Sequence, residues 1–277
     1  MDYLKQKHPH DRDQYIDFEE ESHTYTITHP NVIDPSAFTS VTTWIHTLFS
    51  SFDADKIIEK MKNSKNWSKS KYFGKTDDEI KTEWDNNRDT AAALGTKMHL
   101  HIEQFYNQIL VNDDSIEYTY FQLFESQRLA NPDEKDWIPF RTEWTIFDED
   151  YLLAGSVDMI FEDPKTNTLK IFDWKRCKQI VTSNPWQKFA IVECINGIPD
   201  TNFWHYALQL NIYRTIIESK YQKKVDLLCL VCLHPENKNN SYIRIKVPLL
   251  PSDMSVLLMH RKAQIETSSP KKNKECI

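Results

Sequence analysis

Two aspartates and a lysine are the residues of this sequence best suited to chemistry. Asp158 lies in one predicted strand, and Asp173 and Lys175 lie in the next strand, across a turn at residues 163–167. Side chains two apart share one face of a strand, so Asp173 and Lys175 project together while Trp174 points into the opposite layer. Two converging carboxylates repel each other unless a cation lies between them, and hard oxygen ligands select Mg²⁺ or Mn²⁺. A lysine on the same face is placed to meet an anionic substrate or the attacking water.

The position of Asp173 within its strand supports this interpretation. Leu169, Ile171 and Asp173 share a face, so the carboxylate stands where an apolar side chain would continue the core. Burying an unpartnered carboxylate costs several kcal/mol, so a cation or an ion pair must compensate. An ion pair of Lys175 with Asp173 or Asp158, of purely structural use, remains open at this point.

Two predicted helices carry polar residues at helical spacing. His99 and Glu103 are four residues apart and share one helix face, with Gly95 one turn earlier on the same line. Gln209 and Tyr213 have the same spacing on a helix rich in Leu and Ile, and an amide or a phenol hydroxyl satisfies phosphate oxygens. Each pair, taken singly, is also consistent with ordinary hydrogen-bonded residues. His99 is nevertheless a candidate ligand, and Gln209 and Tyr213 are candidate substrate-binding residues.

The elements that would position these residues follow from hydrophobic periodicity. Strands are predicted at 15–18, 24–28, 141–147, 153–162, 168–175, 225–233 and 242–247, and helices at 37–49, at 200–219 and, as two separate helices, within 76–109. This order predicts an α/β sandwich, a mixed sheet flanked by helices. We expect one compact domain made of a β-hairpin and helical lobe (1–90), a core (91–265) and a polar tail (266–277).

Taken together, these residues resemble the RecB-type branch of the PD-(D/E)XK nuclease superfamily. The G-x-x-x-H-x-x-x-E motif is met by Gly95, His99 and Glu103, the G-x-x-D motif by Gly155 and Asp158, the D-x-K motif by Asp173 and Lys175, and the Q-x-x-x-Y motif by Gln209 and Tyr213. Glu143 matches the glutamate often found on the strand before the first aspartate. The match covers about residues 91–218. Val157 replaces the proline of the superfamily's name, a departure that this branch tolerates.

The resemblance implies a restriction-endonuclease-like α/β core with a helical N-terminal lobe, and a Mg²⁺- or Mn²⁺-dependent nuclease that hydrolyses DNA. It favours an exonuclease acting on single-stranded or end-containing DNA. The implied roles are catalysis for Asp158, Asp173 and Lys175; metal binding for His99, Asp158, Asp173 and the Trp174 carbonyl; an auxiliary role for Glu103 and Glu143; and substrate binding for Gln209 and Tyr213.

The start of the chain carries a second, shorter similarity. Phe18, Glu21, His23 and Tyr25 form an F-x-x-E-x-H-x-Y pattern that is similar to the opening of mitochondrial genome-maintenance exonucleases and their viral relatives. Relatives with an iron–sulfur cluster use one cysteine upstream of the core and three after it. No cysteine precedes Cys177 here, so we expect no iron–sulfur cluster.

A basic segment at residues 60–75 is the strongest candidate for a nucleic-acid contact outside the core. It contains six lysines, three aromatic residues and no acidic residue. Basic side chains follow a phosphate backbone and aromatic faces stack on bases, which suits single-stranded nucleic acid. The candidate contacts are Lys65, Trp67, Lys69 and Lys71. A solvated loop anchored by its aromatic residues is the other interpretation.

Composition excludes several classes of protein. The 277 residues include only 4 glycines, and their spacing fits no glycine-rich phosphate loop, so no nucleotide cofactor is expected. The net charge of −7 argues against a protein that coats nucleic acid or acidic membrane over its whole surface. Without an apolar segment for a signal peptide or a membrane span, we expect a soluble, intracellular protein with no membrane partner. The compartment and the protein partners stay open.

The five cysteines fit reduced thiols better than a disulfide framework, because they are odd in number and the chain has no secretion signal. Cys229-x-x-Cys232 lies in an apolar run without a second Cys or His pair, which favours a buried strand over a metal site.

Two alternatives to the nuclease remain. One is a catalytically silent nucleic-acid-binding module of the same fold. Against it, a site that no longer cuts has no reason to keep buried charges. The other is an α/β protein whose D-x-K forms only a structural ion pair, with no affinity for metal or DNA.

Overall fold

The structure, a computed structural model, describes residues 1–19, 22 and 24–268. The helices are α1 Tyr3–Lys7, α2 Val41–Thr47, α3 Ala54–Lys62, α4 Asp77–Tyr106, α5 Ile116–Ala130, α6 Asn202–Lys220 and α7 Pro251–Ser268. The strands are β1 Ile16–Glu19, β2 Thr24–Ile27, β3 Thr39–Ser40, β4 Ile138–Asp148, β5 Leu153–Asp163, β6 Thr168–Lys175, β7 Val225–Cys232 and β8 Ile243–Val247. The first residues of the predicted tail, 266–268, belong to α7, and the rest of it lies outside the described residues.

The main sheet is mixed, and helices flank it, so the predicted α/β class is confirmed. Its path is β3-β5-β6-β7-β8, and β4 pairs with β5. β6 and β7 run parallel, whereas the β4–β5, β5–β6 and β7–β8 pairs are antiparallel. The predicted hairpin of β5 and β6 is present, and β1 pairs with β2 in a separate two-stranded sheet.

Each face of the sheet buries its own apolar cluster. One cluster joins alternate residues of β6 and β7, such as Ile171 and Leu230, to α2, α6 and α7. The other joins Phe172, Trp174 and Val231 to α1, α4 and α5. The predicted alternation along β6 is therefore confirmed, because period-two side chains must enter opposite layers. Burying each such side chain contributes about 1.5–3 kcal/mol, and this packing fixes α4 and α6 on opposite sides of the sheet.

Helix α4 is a single helix of 30 residues, so the prediction of two separate helices was wrong. Its start was predicted correctly, since Thr76 caps it in a capping box with Glu79. The interior Gly95 costs about 1 kcal/mol relative to Ala, which does not break a helix of this length. The predicted boundary between the N-terminal lobe and the core, after residue 90, lies inside α4. No helix in the described part of the chain is both long enough and apolar enough to cross a membrane.

Candidate active site

The candidate site lies where strands β5 and β6 separate. Strand β4 pairs with β5 along one edge of β5. The other edge of β5 is shared by two strands: β3 pairs with Leu153 and Ala154, and β6 pairs with residues 159–163. Between them, residues 155–158 have no strand partner on that edge within the described chain. Asp158 bridges the gap instead, because its Oδ2 accepts a hydrogen bond of 2.8 Å from the backbone N–H of Trp174. The fork thus holds the Asp158 carboxylate, only 9 % exposed, between two strands.

Glu143 reaches the same fork from β4. It stands between the pairs Thr142–Met159 and Trp144–Val157, opposite Asp158, and has a positive φ of 41°. Such a backbone conformation is uncommon for a residue with a side chain and costs about 1–3 kcal/mol. The Ser156 hydroxyl donates to Glu143 Oε2 at 3.0 Å. This local irregularity and the hydrogen bond hold the glutamate at the site.

His99 completes the cluster from α4. Its Nδ1 lies 3.4 Å from Glu143 Oε1 and 3.6 Å from Asp158 Oδ2. Its Nε2 is 3.0 Å from the carbonyl oxygen of Trp174. The ligand atoms of His99, Glu143 and Asp158 all lie within 4.8 Å of one another. A histidine that binds metal through one nitrogen commonly donates its other N–H to a carbonyl or a carboxylate, which matches the Trp174 contact.

Protonation of His99 offsets part of the negative charge of this cluster. Burial lowers the pKa of His99, but the charge of Asp158 and the hydrogen bond to Glu143 outweigh it and raise the pKa to about 9. Burial raises the pKa of Asp158, although the charge of His99 opposes that shift. The imidazolium therefore offsets one of the two carboxylate charges, and a divalent cation would compete with its proton.

Asp173 and Lys175 form a separate pair next to this cluster. Asp173 is 1 % exposed, and Lys175 Nζ is 2.8 Å from its Oδ2. Its Oδ1 is buried without a hydrogen-bond partner among the described residues. Burial is the main cause that raises the pKa of Asp173 to about 6. The charge of Asp158 adds to this shift, and Lys175 opposes it. The charge of Asp158 thus acts on Asp173, while the ligand atom of Asp158 converges with those of Glu143 and His99.

The converging cluster differs from the predicted set of metal ligands. Glu143, expected as an auxiliary group, is a member of it, whereas Asp173, expected as a ligand, and Glu103, expected as an auxiliary group, contribute no atom to it. The Trp174 carbonyl contacts His99 Nε2, so in this arrangement it orients the imidazole. The sequence singled out Glu143 by its place on the strand before Asp158, but its membership of the cluster depends on long-range strand pairing, which no local pattern specifies.

Gln209 and Tyr213 lie side by side on α6, as their spacing predicts. Gln209 Nε2 donates to the Tyr213 hydroxyl at 3.2 Å, and both side chains are buried. Burial is the main cause that raises the pKa of Tyr213, and the charges of Asp158 and Asp173 add to it. The pair thus lies behind the carboxylates, in the layer between the sheet and α6.

Two tyrosines of the site were missed as site residues. The ring of Tyr206 lies 4.5 Å from Lys175 Nζ, a cation–π distance. Burial, together with the charges of Glu143 and Asp158, raises the pKa of Tyr25 on β2. Tyr206 precedes Gln209 by three residues on α6, and this spacing could have revealed it. Of the pattern that contains Tyr25, Glu21 and His23 lie outside the described residues.

The predicted basic segment is only partly free to bind a ligand. Ion pairs join Lys62 to Asp77, and both Lys71 and Lys75 to Glu83. Within the described part of the chain, no ion pair involves three other lysines of the segment, Lys60, Lys65 and Lys69.

Of the aromatic residues of the segment, one anchors it to the protein and two lie at its surface. Tyr72 accepts a hydrogen bond of 2.8 Å from Trp84 Nε1 and so anchors the segment on α4. Phe73 is 59 % exposed, and Trp67 contacts its ring and lines an open depression of about 490 Å³ beside Lys69. At about 1.5 Å per residue, the anchor Trp84 lies roughly 22 Å along α4 from His99. The segment therefore does not line the candidate site itself.

Neither a scan of protein-family models nor a search of curated proteins finds a match to this chain.

The donor set of the fork suits a divalent metal. Carboxylate oxygens suit Mg²⁺ and Mn²⁺, and an imidazole nitrogen is a further ligand for transition metals. Two carboxylates and His99 Nδ1 point at one another, and the other nitrogen of His99 is oriented by a carbonyl. The arrangement can hold a cation beside the half-buried Lys175, which is a combination able to act on an anionic substrate.

Proposed function

We propose that this chain is a Mg²⁺- or Mn²⁺-dependent nuclease of the RecB-type PD-(D/E)XK branch, with a restriction-endonuclease-like core. Its substrate would be DNA, cut as an exonuclease from single-stranded segments or duplex ends. The observation that carries the proposal is the meeting of His99, Glu143 and Asp158 at the strand fork, within reach of the buried Asp173–Lys175 pair. The order of the four sequence motifs supports the same assignment.

His99, Glu143 and Asp158 would hold the metal. A bound Mg²⁺ or Mn²⁺ lowers the pKa of a coordinated water and neutralises charge that develops on the phosphate. Metal binding requires His99 Nδ1 to lose its proton, while Nε2 keeps the hydrogen bond to the Trp174 carbonyl. Asp158 keeps one oxygen on the Trp174 N–H, so the fork restrains the carboxylate in position.

Lys175 would act as a fixed positive charge. Burial lowers its pKa, but the charges of Asp173 and Asp158 outweigh this and raise it above the ordinary value. A lysine with a raised pKa stays protonated at neutral pH and cannot serve as a general base. Its ammonium group, held by Asp173 and the Tyr206 ring, would stabilise the charge of the pentavalent phosphorus and orient the attacking water.

Gln209 and Tyr213 would support the carboxylates from the layer between the sheet and α6. The role that the sequence predicts for them is a contact with the DNA backbone. Lys65, Trp67 and Lys69 would provide a second, remote contact to the substrate. The roughly 22 Å between the segment and His99 corresponds to about six nucleotides at about 3.4 Å per step. DNA shorter than this would reach the cluster without touching the segment.

End-labelled single- and double-stranded DNA, incubated with Mg²⁺ or Mn²⁺, tests the proposal. We expect wild type to degrade at least one substrate, and Asp158→Asn and Lys175→Met to lose activity by at least about 10²-fold, as expected when a charged group of a transition state is removed. Asp136→Asn is the matched control, since Asp136 forms only an exposed pair with Lys165. Equal cutting by wild type and both site variants would refute the assignment.

Calorimetric titration with Mn²⁺ separates the nuclease from a silent binding module. The nuclease should bind Mn²⁺ in wild type and lose that binding in Asp158→Asn and His99→Ala. A chain that binds DNA without binding Mn²⁺ at the fork would be the silent module.

A further inference from the structure

Two thiols meet at the end of β7, close to the proposed site. Cys177 Sγ and Cys232 Sγ are 3.6 Å apart. Cys232 pairs in register with Lys175 across the parallel β6 and β7, and Cys177 follows Lys175 by two residues. Cys229 belongs to the apolar cluster on the other face of the sheet. The reactive pair is therefore formed by Cys177 and Cys232, and not by the Cys-x-x-Cys of the sequence.

The backbone around the pair is held in place. Leu233 N–H donates to the Lys175 carbonyl at 2.8 Å, and Cys232 Sγ lies 2.8 Å from the Cys177 carbonyl oxygen. A disulfide needs an Sγ–Sγ distance of about 2.05 Å. The sulfurs would therefore approach each other by about 1.5 Å, mostly by movement of Cys177, which starts the loop after β6.

We propose that Cys177 and Cys232 form a peroxide-sensitive dithiol, a modification site that closes to a disulfide beside Lys175. The closure itself is independent of the proposed nuclease function, whereas its effect on turnover rests on that function.

The oxidation balances with hydrogen peroxide as the two-electron oxidant. A thiolate of the pair attacks one peroxide oxygen, the O–O bond breaks, and the sulfur becomes a sulfenic acid, while the other oxygen leaves as hydroxide and takes a proton from solvent to become water. The second sulfur then attacks the sulfenic sulfur, and the displaced hydroxide takes its proton and leaves as a second water. Peroxide would reach the pair from the side of Cys177, which is half-buried, because Cys232 is only 1 % exposed.

The hydrogen bond between the sulfurs makes a thiolate available. The bond from Cys177 lowers the pKa of Cys232 to about 7, and the same bond raises the pKa of Cys177. The pair thus ionises once near neutral pH, with the thiolate favoured on Cys232 and the remaining proton on Cys177.

Formation of the disulfide would affect Lys175 in two ways. Cys177 lies two residues beyond Lys175 in the chain, so its movement shifts the backbone that ends β6. The ring of Tyr206 lies over the Lys175 ammonium, and the charges of both thiols act on the Tyr206 hydroxyl. A displacement of a reacting group by about 1 Å costs up to about 10²-fold in rate. We expect turnover to fall about tenfold in the disulfide form.

Peroxide treatment of the full chain, followed by thiol alkylation and peptide mapping, tests the site. We expect a Cys177–Cys232 cross-link in wild type and in the control Cys194→Ser, reversed by dithiothreitol, and no such cross-link in Cys177→Ser. Absence of the cross-link in wild type, or a preference for another pairing, would overturn the inference.

Turnover on DNA, measured before oxidation, after it and after reduction, tests the link to Lys175. A reversible loss in wild type and Cys194→Ser, absent in Cys177→Ser, supports it. A cross-linked protein with unchanged turnover contradicts it. If reduced wild type cuts no DNA, the proposed function fails, and the peptide map alone decides whether the dithiol exists.

Discussion

The ring of Tyr213 occupies the space beside Gly155 that any other residue's side chain would need. A Cβ atom added at Gly155 would lie 2.5 Å from Tyr213 Cε1 and 2.8 Å from its hydroxyl oxygen. Gly155 is on β5, three residues before Asp158, and Tyr213 is on α6. The glycine thus lets α6 pack against the strand that carries a proposed ligand.

Gly155→Ala should therefore destabilise the protein and impair the site. Forcing a methyl group into a filled space costs about 1–3 kcal/mol, which urea unfolding would measure. Gly197→Ala is the control, because a Cβ there meets nothing within 4 Å. In the double variant Gly155→Ala/Tyr213→Leu, part of the loss should be recovered. An unchanged midpoint in Gly155→Ala would show that the ring does not restrict this position.

Gly95→Ala should have the opposite effect on stability. A Cβ atom added at Gly95 meets nothing within 4 Å, so no described neighbour packs closely against this residue. Alanine within a helix is more stable than glycine by about 1 kcal/mol, so thermal unfolding should shift upward by a few degrees. A lower melting temperature would mean that some part of the protein packs against this helix face.

Tyr206→Leu should reduce kcat of the proposed reaction while leaving the fold intact. Cation–π contacts contribute about 0.5–2 kcal/mol, which corresponds to roughly 2- to 30-fold in rate. Tyr206→Phe keeps the aromatic face and should restore most of the activity. If leucine and phenylalanine variants behave alike in single-turnover assays, the ring face does not position Lys175.

Glu149→Gln should destabilise the protein at neutral pH by about 1–3 kcal/mol. Glu149 Oε2 accepts a hydrogen bond of 2.6 Å from Arg12, which ties the N-terminal segment to the end of β4. Burial alone would raise the pKa of Glu149, but the contacts with Arg12 and Lys220 lower it from 4.5 to about 2.

The sign of the pH dependence follows from this lowered pKa. The stabilisation is complete above pH 4.5 and disappears as the pH falls through about 2. The difference in unfolding free energy between wild type and Glu149→Gln should therefore shrink in acid, while Asp136→Asn, an exposed pair, should change little at any pH. A difference that does not depend on pH would exclude the carboxylate as its source.

Local periodicity was sufficient to predict the elements that carry the candidate residues. The alternation of β6 placed Asp173 and Lys175 on one face and Trp174 on the other, and helical spacing brought Gln209 next to Tyr213. Both patterns depend on neighbours two to four residues apart, so the sequence contains all the information that they need. The separation into two helices predicted within 76–109 was wrong, since α4 runs without a break from Asp77 to Tyr106.

Which side chains meet was decided by the tertiary structure. The fork between β5 and β6 brought Asp158 to Glu143 and His99, and Asp173 is paired with Lys175. The parallel pairing of β6 and β7 brought Cys177 next to Cys232. The acidic residues of α4 neutralised part of the basic segment and held it away from the site. These contacts join residues far apart in the chain and depend on where strand pairing stops and how the helices pack, which no local repeat of the sequence specifies.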